Sequence, residues 1–295
     1  MLNSKLKKVA AVVAVVLCLG YVTYDFYFRL PVKRAQTAEQ KESAKLKVGF
    51  DKFNVLVLGI DGRENLNDRT DTIILASVDG KTSEAQLLSI PRDTRLKIKG
   101  SWNKVNAAYA FGGVDLTKKT ISEFLDVTID RYVVVDFNSL VDMVDEVDGI
   151  EVNVPVRMYV PLEGIDLKPG QQHLNGQQVL AYTRFRGTSE GDIGRAKRQQ
   201  EVITLLAKKI LSVSNLPQLP HLISIFREDV ETDLSVKELV ALARIAPDAL
   251  DNGISTLVLP GKNKKIDEIW YWEPDVAALA KLLTIPITKA VALVH

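Results

Sequence analysis

The sequence predicts an α/β domain: a mixed β-sheet with an antiparallel meander, flanked by helices and preceded by one N-terminal transmembrane helix. Three observations predict it. Three short apolar runs follow one another closely after residue 53, later strand-like runs alternate irregularly with helical patterns, and a lysine-flanked apolar run stands near the start.

The first element is the membrane anchor. Lys5, Lys7 and Lys8 precede an uncharged run from Val9 to Tyr24, which Asp25 and the aromatics Phe26, Tyr27 and Phe28 extend. The run is short of the roughly 20 apolar residues a spanning helix prefers, and the aromatics suit the interfacial belt. The lysines place residues 1–8 in the cytoplasm and the rest of the chain outside, so the expectation is a single-pass protein of the cell membrane. A cleaved signal peptide is the competing reading. Against it, large aromatics stand where a small-x-small cleavage pattern belongs, and Cys18 follows Val16 and Leu17, a poor match to a lipoprotein site. The anchor then covers residues 9–28, a charged stalk covers 29–52, and one domain runs from 53 to 295.

Within that domain, strands are expected at 54–60, 72–78 and 85–90, with Asp79-Gly80 turning the chain between the last two. Helical stretches follow at 106–110 and 116–125, a strand at 132–137, a helix at 139–147 and extended chain at 150–156. A long helix is expected from about 192 to 211, then strands at 254–259 and 270–272 and a helix from Asp275.

Composition narrows the function. Of 295 residues 46% are apolar and 25% charged, an ordinary globular balance, and the net charge of +1 gives no global field for nucleic acid. Basic residues are divided between clusters and no helix-turn-helix stands out, so no nucleic-acid partner is expected. One cysteine excludes an intrachain disulfide and a cysteine-based zinc site.

Local clustering is more informative. If the first two strands are antiparallel neighbours, Asp61 after the first lies across from Asp71 at the start of the second, with Arg69 on the connection. The third strand returns to the same end and delivers Arg92 and Asp93 just past Pro91. Two facing carboxylates beside arginines invite a divalent cation and phosphate, although each aspartate alone is also an ordinary turn residue. In a second cluster, Tyr182-Thr183-Arg184-Phe185-Arg186, an extended chain would put Tyr182, Arg184 and Arg186 on one face. Paired guanidinium forks match phosphate oxygens. In a third, Asp192 is a candidate N-cap, and a helix N-terminus carrying Arg195 and Arg198 is an anion site. Gln199, Val202 and Leu206 continue the Arg195 face; that apolar stripe reads as core, or as the track of a lipid tail behind a phosphate head.

Together these motifs resemble the LytR–CpsA–Psr family: Val55-Leu56-Val57-Leu58-Gly59-Ile60-Asp61-Gly62-Arg63, Arg69-Thr70-Asp71-Thr72, Ser89-Ile90-Pro91-Arg92-Asp93-Thr94, Lys104-Val105-Asn106-Ala107-Ala108-Tyr109, the Arg184/Arg186 pair, and Gly191-Asp192 followed by Arg195 and Arg198-Gln199. Thr70 and Val105 depart mildly from the family's usual Ser and Leu. The resemblance implies a phosphotransferase that moves an anionic glycopolymer, teichoic acid or capsular polysaccharide, from a polyprenyl-pyrophosphate carrier to peptidoglycan. It implies Asp61 and Asp71 as ligands of Mg2+ (or Mn2+), with Arg92 joining them at the catalytic centre. It implies Arg69, Arg92, Lys104, Arg184, Arg186, Arg195 and Gln199 as the pyrophosphate-binding set, supported by Asp93, Asp192 and Arg198. Whether Asp61 or Asp71 takes the proton stays open. A polyprenyl-pyrophosphate hydrolase and a non-catalytic lipid-phosphate-binding regulator of the envelope are the alternatives. Membrane, peptidoglycan, lipid-linked polymer and envelope-synthesis proteins are the expected partners.

Overall fold

The computed structural model describes residues 51–61, 69–211, 221, 224, 226 and 230–283. The anchor expected over 9–28 and nearly all of the stalk lie outside these residues. Among the described residues no helix is long and apolar enough to cross a membrane.

A mixed six-stranded sheet forms the centre. Its first three strands, β1 (Lys52–Gly59), β2 (Thr72–Asp79) and β3 (Ala85–Ser89), are the expected antiparallel meander, with Gly59 paired to Thr72 and Ile74 to Ser89. β4 (Arg95–Ile98) and β5 (Ser101–Lys104) then form a separate hairpin whose two turn residues, Lys99 and Gly100, both have positive φ. That is the hairpin geometry that matches strand twist. Helix α1 (Ala107–Leu125) follows. Non-helical angles at Gly112 and Gly113 kink it where two helical stretches were expected. β6 (Arg131–Val135) returns parallel to β1, and Asp136 caps α2 (Phe137–Glu146) by accepting from the Ser139 amide.

A smaller layer follows. β7 (Ile150–Val154), β8 (Met158–Val160), a 3-10 turn (Pro161–Glu163), β9 (Ile165–Leu167) and β10 (Gly170–Leu174) pair as β7 with β10 and β8 with β9. Two helices close it, α3 (Gly176–Arg184) and α4 (Gly191–Ile210). The chain re-enters the sheet as β11 (Glu231–Thr232) beside β6, runs through α5 (Val236–Asn252), and adds β12 (Ser255–Val258) parallel to β3. The hairpin β13 (Gly261–Ile266) and β14 (Ile269–Pro274) and helix α6 (Val276–Leu282) complete the described chain.

Alternation along the strands divides the core. Leu56, Leu58, Ile73, Leu75 and Leu88 face α1 through Ile121 and Leu125, whereas Phe53, Val55 and Val133 face Leu234, Leu239 and Leu242. Both faces are covered, which is why β1 reads as a continuous apolar run rather than an alternating one. A third cluster joins α2, α3 and α4 to β7–β10 through Val144, Val152, Leu174, Tyr182 and Val202. Gly176 permits the approach of α3 to α2, because a Cβ there would stand 2.3 Å from the Val141 carbonyl oxygen.

The structure corrects the sequence reading in three places. The segment holding Tyr182, Arg184 and Arg186 is not extended: Asn175 and Gln178 form a capping box, and α3 runs to Arg184. Asp192 is not the N-cap of α4. Glu190 holds that position and Asp192 lies in the first turn. The hairpins β4–β5 and β8–β9, strands β10 and β13 and helix α5 were not anticipated, whereas β14 contains the strand expected at 270–272; short strands with charged or polar faces carry little periodic signal.

Candidate functional site

A cavity of about 750 Å³ opens between the end of the sheet and the smaller layer. Its size suits a ligand pocket. Four walls define it. The sheet supplies Val57 to Asp61 from β1 and its exit, with Asp71 and Thr72 opposite; α2 supplies Leu140 and Met143; and α3 with the strand region supplies Leu180, Leu162 and Ile165. The long face of α4 lines the remaining side with Arg195, Gln199, Val202, Ile203 and Leu206. The expected track from Arg195 to Leu206 is therefore a cavity wall, with the arginine at one end and aliphatic side chains beyond it.

Helix α4 holds this place because its other side is anchored to the sheet. The Gln200 side-chain amide donates to the carbonyls of Leu87 (3.0 Å) and Leu257 (2.6 Å), bridging the parallel β3–β12 pair. Arg198 is likewise internal: it is buried and donates to the carbonyls of Tyr182 and Phe185. It clamps α4 to the end of α3 and is not part of the anion face expected of it. The neighbouring Tyr182 is buried and its hydroxyl donates to Glu201 at 2.6 Å. Burial first, then Glu201, pushes the Tyr182 phenol up.

The polar end gathers charges from several chain segments. The Asp71 amide donates to the Gly59 carbonyl at 2.8 Å, so the meander brings Asp61 and Asp71 to one rim as expected. Arg92 reaches across from the third strand and forms an ion pair with Asp71. Burial pulls the Arg92 guanidinium down, but Asp71, helped by Asp93 and Asp192, leaves it above its ordinary value. Among the described residues its Nε is buried without a hydrogen-bond partner.

Arg195 is 7% exposed and pairs with Asp192 at 3.1 Å. The same carboxylate stands 3.7 Å from Arg186, while Arg184 is 3.9 Å from Glu163. Those two separations exceed a hydrogen bond, so both guanidiniums retain donor capacity. Burial, then the neighbouring Arg186, pulls Arg195 below its ordinary value, and Arg92 adds to that pull against Asp192 and Asp71. Asp192 is shared by two guanidiniums, so Arg186 and Arg195 keep donors that a phosphate group could engage.

Arg184 and Arg186 both reach the cavity although no strand alternation places them there. Arg184 ends α3, and Phe185 leaves it with extended angles (φ −59, ψ 134), buried in the core, before Arg186. A smaller cleft continues past the rim, shared by Asp71, Arg92, Asp93, Asp192, Arg195 and Gln199. Two predicted residues stand apart: Arg69 is exposed and does not line the cavity, and Lys104, on β5, is bound to Asp93 at 2.7 Å. Glu163 and the aliphatic residues of α2, α3 and the 3-10 turn were missed at the sequence level. The apolar face of α2 was the signal available for Leu140 and Met143.

Arginines and carboxylates interleave around a cavity whose remaining lining is largely aliphatic, an arrangement suited to a ligand with both ionic and apolar parts. The chain belongs to the LytR_cpsA_psr family, whose model matches residues 23–286. It is 35% identical over 244 residues to the polyisoprenyl-teichoic acid–peptidoglycan teichoic acid transferase TagV of Bacillus subtilis; the match covers 78% of this chain and 62% of that protein's length. The crystal structure of B. subtilis TagV superposes with a TM-score of 0.71 at 36% identity, covering 79% of this chain and 94% of that one. The structure of TagT bound to LIIa-WTA superposes with a TM-score of 0.66 at 28% identity, covering 84% and 96%.

Proposed function

We propose that this chain is a membrane-anchored phosphotransferase that moves an anionic glycopolymer from a polyprenyl-pyrophosphate carrier to a peptidoglycan hydroxyl. One observation carries the reading: on a single face of α4, Arg195 and Gln199 stand at a charged rim and Val202, Ile203 and Leu206 line the apolar cavity behind it. A pyrophosphate on an isoprenoid tail has that division of chemistry. Relatives named as teichoic acid transferases support teichoic acid as the polymer class. The basic flank and apolar run of residues 1–28 support the anchor.

In the reaction, a sugar hydroxyl of the acceptor attacks the phosphorus next to the glycopolymer. A phosphodiester forms, the bridging P–O bond breaks, and polyprenyl monophosphate leaves. Phosphoryl transfer of this kind depends on alignment and charge neutralisation. Arg195 and Arg186 bind the pyrophosphate oxygens, Arg92 holds the rim through Asp71, and the cavity keeps the tail and excludes water. Asp61 or Asp71, the two carboxylates at this rim, accepts the hydroxyl proton. Asp61 and Asp71 lining one rim fit Mg2+ (or Mn2+), which binds through one or two carboxylates plus substrate phosphate. Such an ion would neutralise charge developing on the phosphate oxygens.

The test uses the full chain in detergent with lipid-linked glycopolymer, with and without peptidoglycan. Transfer to peptidoglycan is expected, lowered roughly 100-fold or more by Arg92→Ala and Arg195→Ala. Wild-type rates in both variants would overturn the phosphate assignment. Equal cleavage without acceptor would identify a hydrolase, and tight binding without turnover a regulator.

A further inference from the structure

We propose that the hairpins β4–β5 and β13–β14 form a second, polymer-binding face that receives the anionic glycopolymer as it leaves the pyrophosphate rim. The inference rests on the reading that the cavity holds a polyprenyl pyrophosphate, and names where the other end of that donor lies.

The two hairpins are joined to the rim and to each other. β4 begins directly after Arg92, Asp93 and Thr94; the Trp272 amide donates to the Asp93 carbonyl at 2.9 Å, and Thr94 bridges to Trp272. Behind them the attachment is rigid: Leu96 and Ile98 are buried, and the Trp272 indole packs on the main core while donating to the Leu259 carbonyl.

Their outer face has a composition unlike a merely solvated one. Cross-strand pairing sets Lys97 beside Trp102 and Arg95 beside Lys104 on the first hairpin, and Lys264 beside Tyr271 on the second. Arg95 lies 4.2 Å from the Trp102 ring centre and 5.9 Å from that of Tyr271, so one guanidinium spans both hairpins. Lys97 stands 5.3 Å from Trp102, and Lys104 6.0 Å from Tyr271. Trp102 is 51% exposed. Leaving so large a ring half in water on a rigid hairpin is costly, and aromatic rings fixed in place by stacked cations offer flat apolar surfaces at little entropic penalty. Glu273 is the acidic member, shared by Arg95 at 4.0 Å and Lys264 at 3.8 Å, so the cations outnumber it.

This pattern fits a chain in which sugar or polyol units alternate with phosphates. Apolar ring faces cover Trp102 and Tyr271, while Lys97 and Lys264 meet the phosphates. An uncharged glycan would use the aromatic rings and leave the lysines idle. Position agrees with charge: the apolar cavity lies on one side of Arg195, and the cleft through Arg92 and Asp93 leads on the other side to Lys104, which holds Asp93. A donor with its tail in the cavity and its pyrophosphate on the arginines must send its polymer out toward the hairpins. Lys104 is thereby reassigned from the pyrophosphate set to the junction between rim and face.

The experiment measures binding of the full chain in detergent to two probes, lipid-free poly(glycerol phosphate) teichoic acid and geranylgeranyl pyrophosphate, with dextran as the uncharged control. The double variant Trp102→Ala/Tyr271→Ala is expected to weaken teichoic acid binding roughly tenfold, as loss of buried aromatic surface predicts. Geranylgeranyl pyrophosphate affinity should stay as in wild type. The milder charge neutralisations Lys97→Gln/Lys264→Gln, at exposed side chains, should do the same and remove much of the salt dependence. Undiminished teichoic acid binding in both double variants would overturn the proposal, as would dextran binding as tightly as teichoic acid. Failure of wild type to bind geranylgeranyl pyrophosphate would instead overturn the cavity reading, so the two ideas fail separately.

Discussion

Arg92 and Asp71 form an ion pair that ties the exit of the third strand to the entry of the second at the rim of the cavity. The meander alone sets this relationship. Gly59, Thr72 and Ser89 all end at one edge of the sheet, and the charged residues beyond them meet there.

Arg195 is buried and surrounded by Arg186 and Arg92 as well as by carboxylates. Replacing it with alanine should reduce prenyl-pyrophosphate binding sharply while leaving the apo-protein at least as stable as wild type, because an imperfectly compensated buried charge is removed. Paired calorimetric binding and thermal denaturation check this; a large loss of stability would assign Arg195 a structural role.

Arg198 should behave in the opposite way. Arg198→Ala leaves the Tyr182 and Phe185 carbonyls unpaired in a buried place and should cost roughly 2–3 kcal/mol of stability. Arg198→Lys should not restore it, since an ammonium lacks the fork that spans both acceptors. Urea denaturation distinguishes the two.

Ile203 lines the apolar part of the cavity. Ile203→Trp should fill that space and penalise long prenyl chains while sparing short ones, with each displaced methylene worth about 0.8 kcal/mol. Affinities for geranyl and longer prenyl pyrophosphates, compared between wild type and variant, should diverge with chain length.

Asp61→Asn and Asp71→Asn should both weaken Mg2+ binding, measured by calorimetry with pyrophosphate present. Only Asp71→Asn should also loosen Arg92, seen as greater hydrogen exchange in the segment from Pro91 to Thr94. Equal exchange in both variants would separate the ion pair from the rim's rigidity.

Glu238 caps α5 with Ser235 and binds Arg131 at 2.7 Å. Burial alone would raise its carboxyl, but the Ser235 hydrogen bonds and Arg131 hold it below the ordinary 4.5. A carboxyl depressed in the folded state stabilises above its unfolded pKa and loses that contribution as pH falls through its folded value. Glu238→Gln should therefore lower stability by about 1 kcal/mol near neutrality, with the difference from wild type closing below pH 4.5. A pH series of melting temperatures tests it.

Much of the site is legible in the residues alone. Asp61, Asp71 and Arg92 follow from short connections between apolar strands, which leave few ways to pair, and the Arg195-to-Leu206 face follows from helical spacing. Arg184 and Arg186 reach the cavity for a different reason than strand alternation. A capping box makes that segment helical, and the buried Phe185 turns the chain out of α3 between them. Arg198 could not be told from Arg195, because residues three apart on a helix differ only in what their neighbours offer.

The meander, the long α4 helix and the family motifs are written locally, since they rest on periodicity and spacing within a few residues. Folding settles which face of α4 lines a cavity and which bonds to the sheet, that Lys104 turns to Asp93, and that Trp102 and Tyr271 share Arg95 across two hairpins. Those outcomes depend on contacts between segments far apart in the chain, 113 residues for Gln200 and Leu87. A polar or aromatic side chain carries no local mark of the partner it will meet.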